Sequence, residues 1–161
     1  MGDGVTSIEG VRIRDATAAD LPCIVDLLQQ ESLGDERRED PGPPLPDAYV
    51  RAFEAIEADP RQRLLVAEVG GEVVGTFVFI VIPNLSYRGR PVAQVENVVV
   101  DEPWRGRGVG EAMMRWAIEE ARRAGCFRVQ LTSNKARKDA HRFYERLGFV
   151  ATHEGFKLYL S

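Results

Sequence analysis

Apolar and polar positions change period along the chain in a readable order. Val11-Arg12-Ile13-Arg14 alternates and predicts a first strand. Thr17-Ala18-Ala19-Asp20 has the form of a capping box. The stripe Leu21, Ile24, Val25, Leu27 and Leu28 then predicts an amphipathic helix to about Glu31, with Cys23 inside the apolar pattern. Pro22 falls near the first turn, where a missing N–H costs little. Ser32–Asp47 loses all periodicity and predicts a loop that is mobile or functional. Asp47 is expected to cap a second helix, with Val50, Ala52, Phe53 and Ile56 inward, ending before Pro60.

The middle of the chain turns to the strand period. Leu64–Val69 and Glu72–Ile82 flank Gly70-Gly71 and predict a hairpin. Asn84–Pro91 is turn-rich, and Val92–Asp101 reads as another strand. Val109, Ala112, Met113, Trp116, Ala117, Ala121 and Ala124 fall at helical spacing, and Gly125 ends that helix. A strand over Phe127–Thr132, a short helix over Asp139–Leu147 stopped by Gly148, and a final strand over His153–Leu160 complete the pattern. The order β-α-α-β-β-β-α-β-α-β, without repeat or dividing linker, predicts one domain over 1–161 with residues 1–10 as a flexible leader.

Composition narrows the picture little. With 44% apolar and 29% charged residues, wholesale disorder, collagen and coiled coil are excluded. A net charge of −4 argues against nucleic acid or an anionic membrane as partner. No apolar run approaches the ~18 residues that span a bilayer. Two scattered Cys and two scattered His make neither a disulfide framework nor a zinc spacing, so no metal is expected. The first ten residues lack the basic and apolar regions of a signal peptide, so a reducing, cytoplasmic setting is the expectation. Met1–Thr6 fits the loose myristoylation pattern, but a disordered leader accounts for it as well.

Chemistry concentrates in Val95–Gly110, where a buried strand enters a glycine-rich turn that opens the long helix. Such a turn offers backbone N–H groups at the positive end of a helix dipole. Its glycines let an anion approach closely, so a phosphate or pyrophosphate is the natural ligand. Arg105 and Arg107 add positive charge. The Walker ending Gly-Lys-Ser/Thr is missing. Gly106, Gly108 and Gly110 are spaced G-x-G-x-G, with Glu111 where the dinucleotide fingerprint needs glycine. A purely structural turn is the alternative.

Arg105-x-x-Gly108-x-Gly110, after a strand ending in Val100-Asp101, resembles the coenzyme A pyrophosphate loop of the GNAT N-acyltransferase superfamily. Asn134, Ala140, Phe143-Tyr144 and Gly148-Phe149 resemble its second element, and the likeness spans roughly Val11 to Leu160. The resemblance implies an α/β GNAT fold. Its sheet is mixed, of about six to seven strands, with helices on both faces and splayed central strands. It implies acetyl-CoA as co-substrate and direct acetyl transfer to the primary amine of a small molecule.

Residue roles follow from the same resemblance. The backbone of Val98, Val99 and Val100 would pair with the pantetheine arm, the first amide polarising the thioester carbonyl. Amides of Gly106, Arg107, Gly108, Val109, Gly110 and Glu111 would hold the pyrophosphate, with Arg105 at the family's Gln/Arg position. Tyr144 would be the general acid for the departing thiolate, a phenol and a thiol having pKa values of about 10 and 8.5. Asn134 would contact the pantetheine or orient the site; a helix cap is its alternative. An attacking ammonium needs a base, and Glu96 is the best candidate. In a regular strand its side chain shares a face with Val98 and Val100, whereas a bulge would change that parity. His141, i−3 to Tyr144, and His153 are further bases by pKa. Arg137, Lys138 and Arg142 meet the coenzyme's 3′-phosphate or form a solvated face.

The acceptor is left to the variable segments Ser32–Asp47 and Ser86–Pro91. Asp35, Glu36, Glu39 and Asp40 would suit a cationic amine; Arg37, Arg38, Arg88 and Arg90 an anionic group. The run Ser133–Tyr144 also resembles aminoalkylphosphonate acetyltransferases, a pointer to a small anionic amine. The alternatives are a protein or peptide α-amine acetyltransferase and a non-catalytic coenzyme A-binding sensor. Homodimerisation, common in such folds, is a further expectation. Cys126, at the start of a strand, is discounted as a nucleophile.

Overall fold

The computed structural model describes residues 10–31 and 38–160. The myristoylation match at Met1–Thr6, the leader up to residue 9, and Asp35, Glu36 and Arg37 lie outside the described residues. Two compact units divide the chain, one ending at Gln130 and one beginning at Leu131.

In the first unit five strands lie in the order β1-β2-β3-β4-β5. They are β1 (Val11–Asp15), β2 (Gln62–Val69), β3 (Glu72–Ile82), β4 (Val92–Val100) and β5 (Val129–Gln130). The first four pair antiparallel in sequence order, and β5 joins β4 in parallel, so the sheet is mixed. Helix α1 (Leu21–Gln29) follows a 3-10 turn at Ala18–Asp20, and α2 (Asp47–Ala58) precedes the hairpin. The expected capping box caps that turn: Thr17 N–H and hydroxyl both donate to the Asp20 carboxylate, at 2.7 and 3.1 Å. Pro46, not Asp47, is the N-cap of α2. Ala52 is exposed, and Tyr49, Val50, Phe53 and Ile56 form the inward stripe instead. Segment α3 (Ser86–Gly89) is a single irregular turn with Tyr87 and Arg88 left-handed.

Helix α4 (Val109–Arg123) covers one face of the sheet. Phe77 and Phe79 meet Trp116 edge-on at 5.7 and 5.8 Å. Arg63 lies over the same indole at 4.9 Å and pairs with Asp15 and Glu120, tying β1 and β2 to α4. The opposite face buries Val66, Thr76 and Val99, with α1 and α2 packed on strands β2 to β4. Aromatic burial of this kind dominates core energetics. No described helix is long and apolar enough to cross a membrane.

Three differences from the sequence reading concern strands. The expected strand Phe127–Thr132 contracts to the two residues of β5. The expected strand His153–Leu160 joins no ladder, and Phe156, Leu158, Tyr159 and Leu160 are exposed. Its alternation is genuine, but a strand exists only where an edge pairs with it. The sheet among the described residues therefore has five strands, not six to seven. The third difference is a bulge. Thr76 faces Val99 and Val78 faces Glu96, so Asn97 and Val98 together oppose Phe77. Asn97 takes φ 53°, which Asn tolerates better than most residues.

The second unit holds α5 (Lys138–Arg146). Its end is a Schellman motif: Gly148 N–H donates to Glu145 O and Phe149 N–H to Tyr144 O, with Gly148 at φ 98°. The Phe149 ring packs edge-on against Tyr144 at 5.8 Å, the apolar contact that such a cap favours.

Candidate functional site

The bulge decides which groups β4 presents. Ala93 N–H donates to Arg128 O on the β5 side, so before the bulge the odd-numbered amides face β5. Asp101 N–H donates to Val74 O on the β3 side. By the two-residue alternation Val99 N–H also faces β3, and the amides of Val98 and Val100 face the other edge. Pairing with β5 covers only Ala93 and Gln94, while β4 runs on to Val100. The two strands thus part company after Gln94, and the amides of Val98 and Val100 lie along the edge beyond.

The same bulge corrects one expectation. Opposed residues share a face, so Glu96 goes with Val78 and Val99 with Thr76. Glu96 therefore shares its face with Val99, not with Val98 and Val100; the extra residue at Asn97 shifts the parity. The Glu96 carboxylate is half-buried and accepts from Gln94 Nε2 at 2.8 Å.

From Val100 the chain passes through a 3-10 turn at Glu102–Trp104 into the glycine turn and α4. Gly106 (φ 73°) and Gly108 (φ 90°) are left-handed, a conformation that only glycine adopts freely. Gly108 is the N-cap, and the first helical bond runs from Ala112 N–H to Gly108 O at 3.1 Å. Among the described residues the amides of Arg107, Gly108, Val109, Gly110 and Glu111 find no backbone acceptor. Five donors at the positive end of a 15-residue helix form a ready anion site. The Glu111 carboxylate lies in the first turn, but Arg115 holds it at 2.7 Å.

The two arginines of the loop are occupied. Arg105 Nε donates to Val100 O at 3.1 Å and its Nη2 reaches Gln30 Oε1 at 3.5 Å. Arg107 lies over the Trp104 ring at 4.2 Å. Gln30, which the sequence pattern did not single out, braces the turn from the end of α1. It accepts from Glu102 N–H at 3.1 Å and donates to Asp101 Oδ1 at 2.9 Å. A glutamine after a helix's last turn carries no sequence signal for such a role.

Asn134 and Tyr144 belong to the second unit. Asn134 Oδ1 accepts from Ala136 N–H at 2.9 Å, and its carbonyl is met by Arg137 N–H and by His141 Nε2. Asn134 thus builds the turn before α5, and His141 is engaged in holding it. Tyr144 is half-buried between Phe143 and Phe149. Lys138 and Arg142 lie on the exposed side of α5, Arg142 paired with Asp139. The thiols of Cys126 and Cys23 are both pushed up by burial, which disfavours the nucleophilic thiolate. Among the described residues no three His, Cys, Asp or Glu side chains converge.

Of the loop preceding α2, Glu39 and Asp40 are placed: Tyr49 donates its hydroxyl proton to Glu39 Oε2 at 2.8 Å and accepts from Asp40 N–H at 2.9 Å.

The model of the acetyltransferase (GNAT) family matches residues 30–149. Aminoalkylphosphonate N-acetyltransferase of Salmonella typhimurium is 36% identical over 109 residues, which is 68% of this chain and 70% of that protein. Glucosamine 6-phosphate N-acetyltransferase 1 of Oryza sativa subsp. japonica is 35% identical over 163 residues, covering 98% of this chain and 90% of that protein. A solved structure of a transcriptional regulator from Bacillus halodurans C-125 superposes with a TM-score of 0.88 at 45% identity, covering 93% of this chain and 99% of that one.

Proposed function

The chain belongs to the acetyltransferase (GNAT) family, and from that premise we propose that it moves an acetyl group from acetyl-CoA directly to the primary amine of a small, anionic molecule. The observation that carries this reading is the pairing of two backbone donor arrays on one continuous stretch. The open-edge amides of Val98 and Val100 lead through the turn into the free amides at the head of α4.

In this proposal the amides of Arg107 to Glu111, with Gly106 beside them, hold the coenzyme's pyrophosphate. The residues present fit that group: the donors find no backbone acceptor among the described residues, left-handed glycines keep side chains away, and the first-turn carboxylate of Glu111 is paired with Arg115. Arg105, at the family's Gln/Arg position beside the phosphate loop, is braced between Val100 and Gln30. Val98 and Val100 pair with the extended pantetheine arm as an added strand would. The Val98 N–H polarises the thioester carbonyl, a contribution of about 3 kcal/mol for such a donor.

Acetyl-CoA supplies the activated acyl group. The amine nitrogen attacks the carbonyl carbon and the carbon–sulfur bond breaks. Glu96 takes one proton from the ammonium, directly or through one water, so that the nitrogen can attack. Tyr144 gives a proton to the departing sulfur, and the second N–H proton, lost as the amide forms, restores the phenol through water. Asn134 supports the turn that leads to Tyr144.

The acceptor class rests on the relatives. Those from Salmonella typhimurium and rice are named for amines that carry a phosphonate or a phosphate. The chain's Arg88 and Arg90 are exposed and suit such an anion. A coenzyme A-binding regulator is the second reading, favoured by the name of the Bacillus halodurans structure.

The test is thiol release from acetyl-CoA across primary amines that include 2-aminoethylphosphonate, glucosamine 6-phosphate and short peptides. Turnover is expected on the anionic small amines, with kcat lowered about a hundredfold in Glu96→Gln and in Tyr144→Phe. Preference for peptides would overturn the small-molecule acceptor. Tight acetyl-CoA binding without turnover on any amine would transfer the case to the regulator.

A further inference from the structure

Three polar side chains without an assigned role form one directed chain that ends on Glu96. Arg128 Nε donates to Gln130 Oε1 at 2.9 Å. Gln130 Nε2 donates to Gln94 Oε1 at 2.7 Å. Gln94 Nε2 donates to Glu96 Oε1 at 2.8 Å. We infer that Gln94, Gln130 and Arg128 are positioning residues that aim the Glu96 carboxylate and keep one of its oxygens occupied. The inference rests on Glu96 as the base.

The backbone makes this arrangement. Gln94 and Gln130 are direct partners in the parallel β4–β5 ladder. Arg128 stands two residues before Gln130, and Glu96 two residues after Gln94. With a period of two, all four project from one face of the seam where the strands begin to separate. The middle of the chain is half-buried and its Arg128 end is exposed.

The ends fix its direction. A guanidinium has only donors, and an ionised carboxylate only acceptors. Between them a single orientation of each amide satisfies all three bonds. If Glu96 instead donated a proton to Gln94, both amides would have to turn over, and Gln130 would present N–H to the N–H of Arg128. The relay thus opposes that arrangement, and it ties up Oε1 while Oε2 is left for the incoming proton. Ordering two glutamines and an arginine costs side-chain entropy that a solvated surface would not spend. A chain of aligned bonds strengthens each member, and a charge-assisted bond terminates it at both ends.

A positioning role acts through Glu96 and must vanish when Glu96 can no longer accept a proton. The test is a double-mutant cycle in thiol release with acetyl-CoA and the best amine of the panel above. Gln130→Met keeps the length of the side chain and removes both amide bonds. It is expected to lower kcat about tenfold and leave the KM for acetyl-CoA unchanged. In the Glu96→Gln background the same change is expected to have no further effect. Gln130→Glu, which still accepts from Arg128 but cannot donate to Gln94, is expected to match Gln130→Met, and Arg128→Lys to recover most of the rate lost in Arg128→Met. A slow Glu96→Gln enzyme with a fast Gln130→Met enzyme overturns the relay alone. So does a Gln130→Met loss that persists in full without the carboxylate. A Glu96→Gln enzyme as fast as wild type overturns the base assignment and the relay with it.

Discussion

A methyl group on Gly75 would stand 2.9 Å from the Met113 sulfur and 3.1 Å from the Val99 carbonyl oxygen. The sulfur ends a flexible side chain and can give way; the carbonyl belongs to the ladder that carries the open edge. Gly75 therefore lets α4 and β4 approach β3 at the place where Val98–Val100 are presented. Gly75→Ala is expected to destabilise the protein by about 1–3 kcal/mol, the usual cost of an overpacked core site. An unchanged urea midpoint would contradict the close contact. The sequence shows a glycine breaking an apolar run there, but nothing in it distinguishes a break from a close approach. Asn97 teaches the same lesson. The bulge was foreseeable as a contingency for Glu96, yet only the ladder shows that two residues oppose Phe77. A side-chain parity read from a strand holds only as far as its register.

At the scale of the element, the pattern of apolar positions was reliable where an element buries its own face. The stripes of α1 and α4 and the hairpin around Gly70-Gly71 stand where periodicity puts them, except that Ala124 is exposed just past the end of α4. It was unreliable where an element needs a partner far along the chain. The alternation at Phe156, Leu158 and Leu160 joins no ladder among the described residues, and β5 keeps only the residues that meet β4. Polar ties were least legible of all. Arg14 holds the Asp20 carboxylate at 2.8 Å and Glu68 at 2.9 Å, joining the head of α1 to β2. The hydrogen bonds from Arg14 keep the Asp20 carboxyl below the usual carboxylate range, and the two carboxylates raise the Arg14 guanidinium. A carboxyl whose folded value is depressed stabilises the protein above its unfolded value, near pH 4, and loses that contribution as pH falls through the folded value. Asp20→Asn is therefore expected to be less stable than wild type at pH 7, with the gap closing below about pH 4. Thermal melts from pH 3 to pH 7 check this. A gap that is constant over that range would contradict it.

At the scale of the whole molecule, the chain bears −4 overall, yet one helix head and one strand edge offer backbone donors that no side-chain charge could be read to supply. The glycine turn was legible because glycine spacing is written in the sequence. The brace from Gln30 and the relay to Glu96 were not, because they join residues whose separation along the chain carries no pattern. The family shared with the Salmonella typhimurium and rice proteins fixes the reaction class. The donor arrays are what make the coenzyme's place in this chain testable.

Calorimetric titration of acetyl-CoA into wild type and Gly110→Asp tests that place most directly. An aspartate in the first helical turn favours the helix dipole, so the variant is expected to keep its melting temperature. Its carboxylate competes with a pyrophosphate for the same amides, so affinity is expected to fall at least about tenfold. Micromolar binding to wild type, lost or greatly weakened in a folded variant, is the result this account predicts. No heat of binding to folded wild type, or equal affinity in the two proteins, would contradict it.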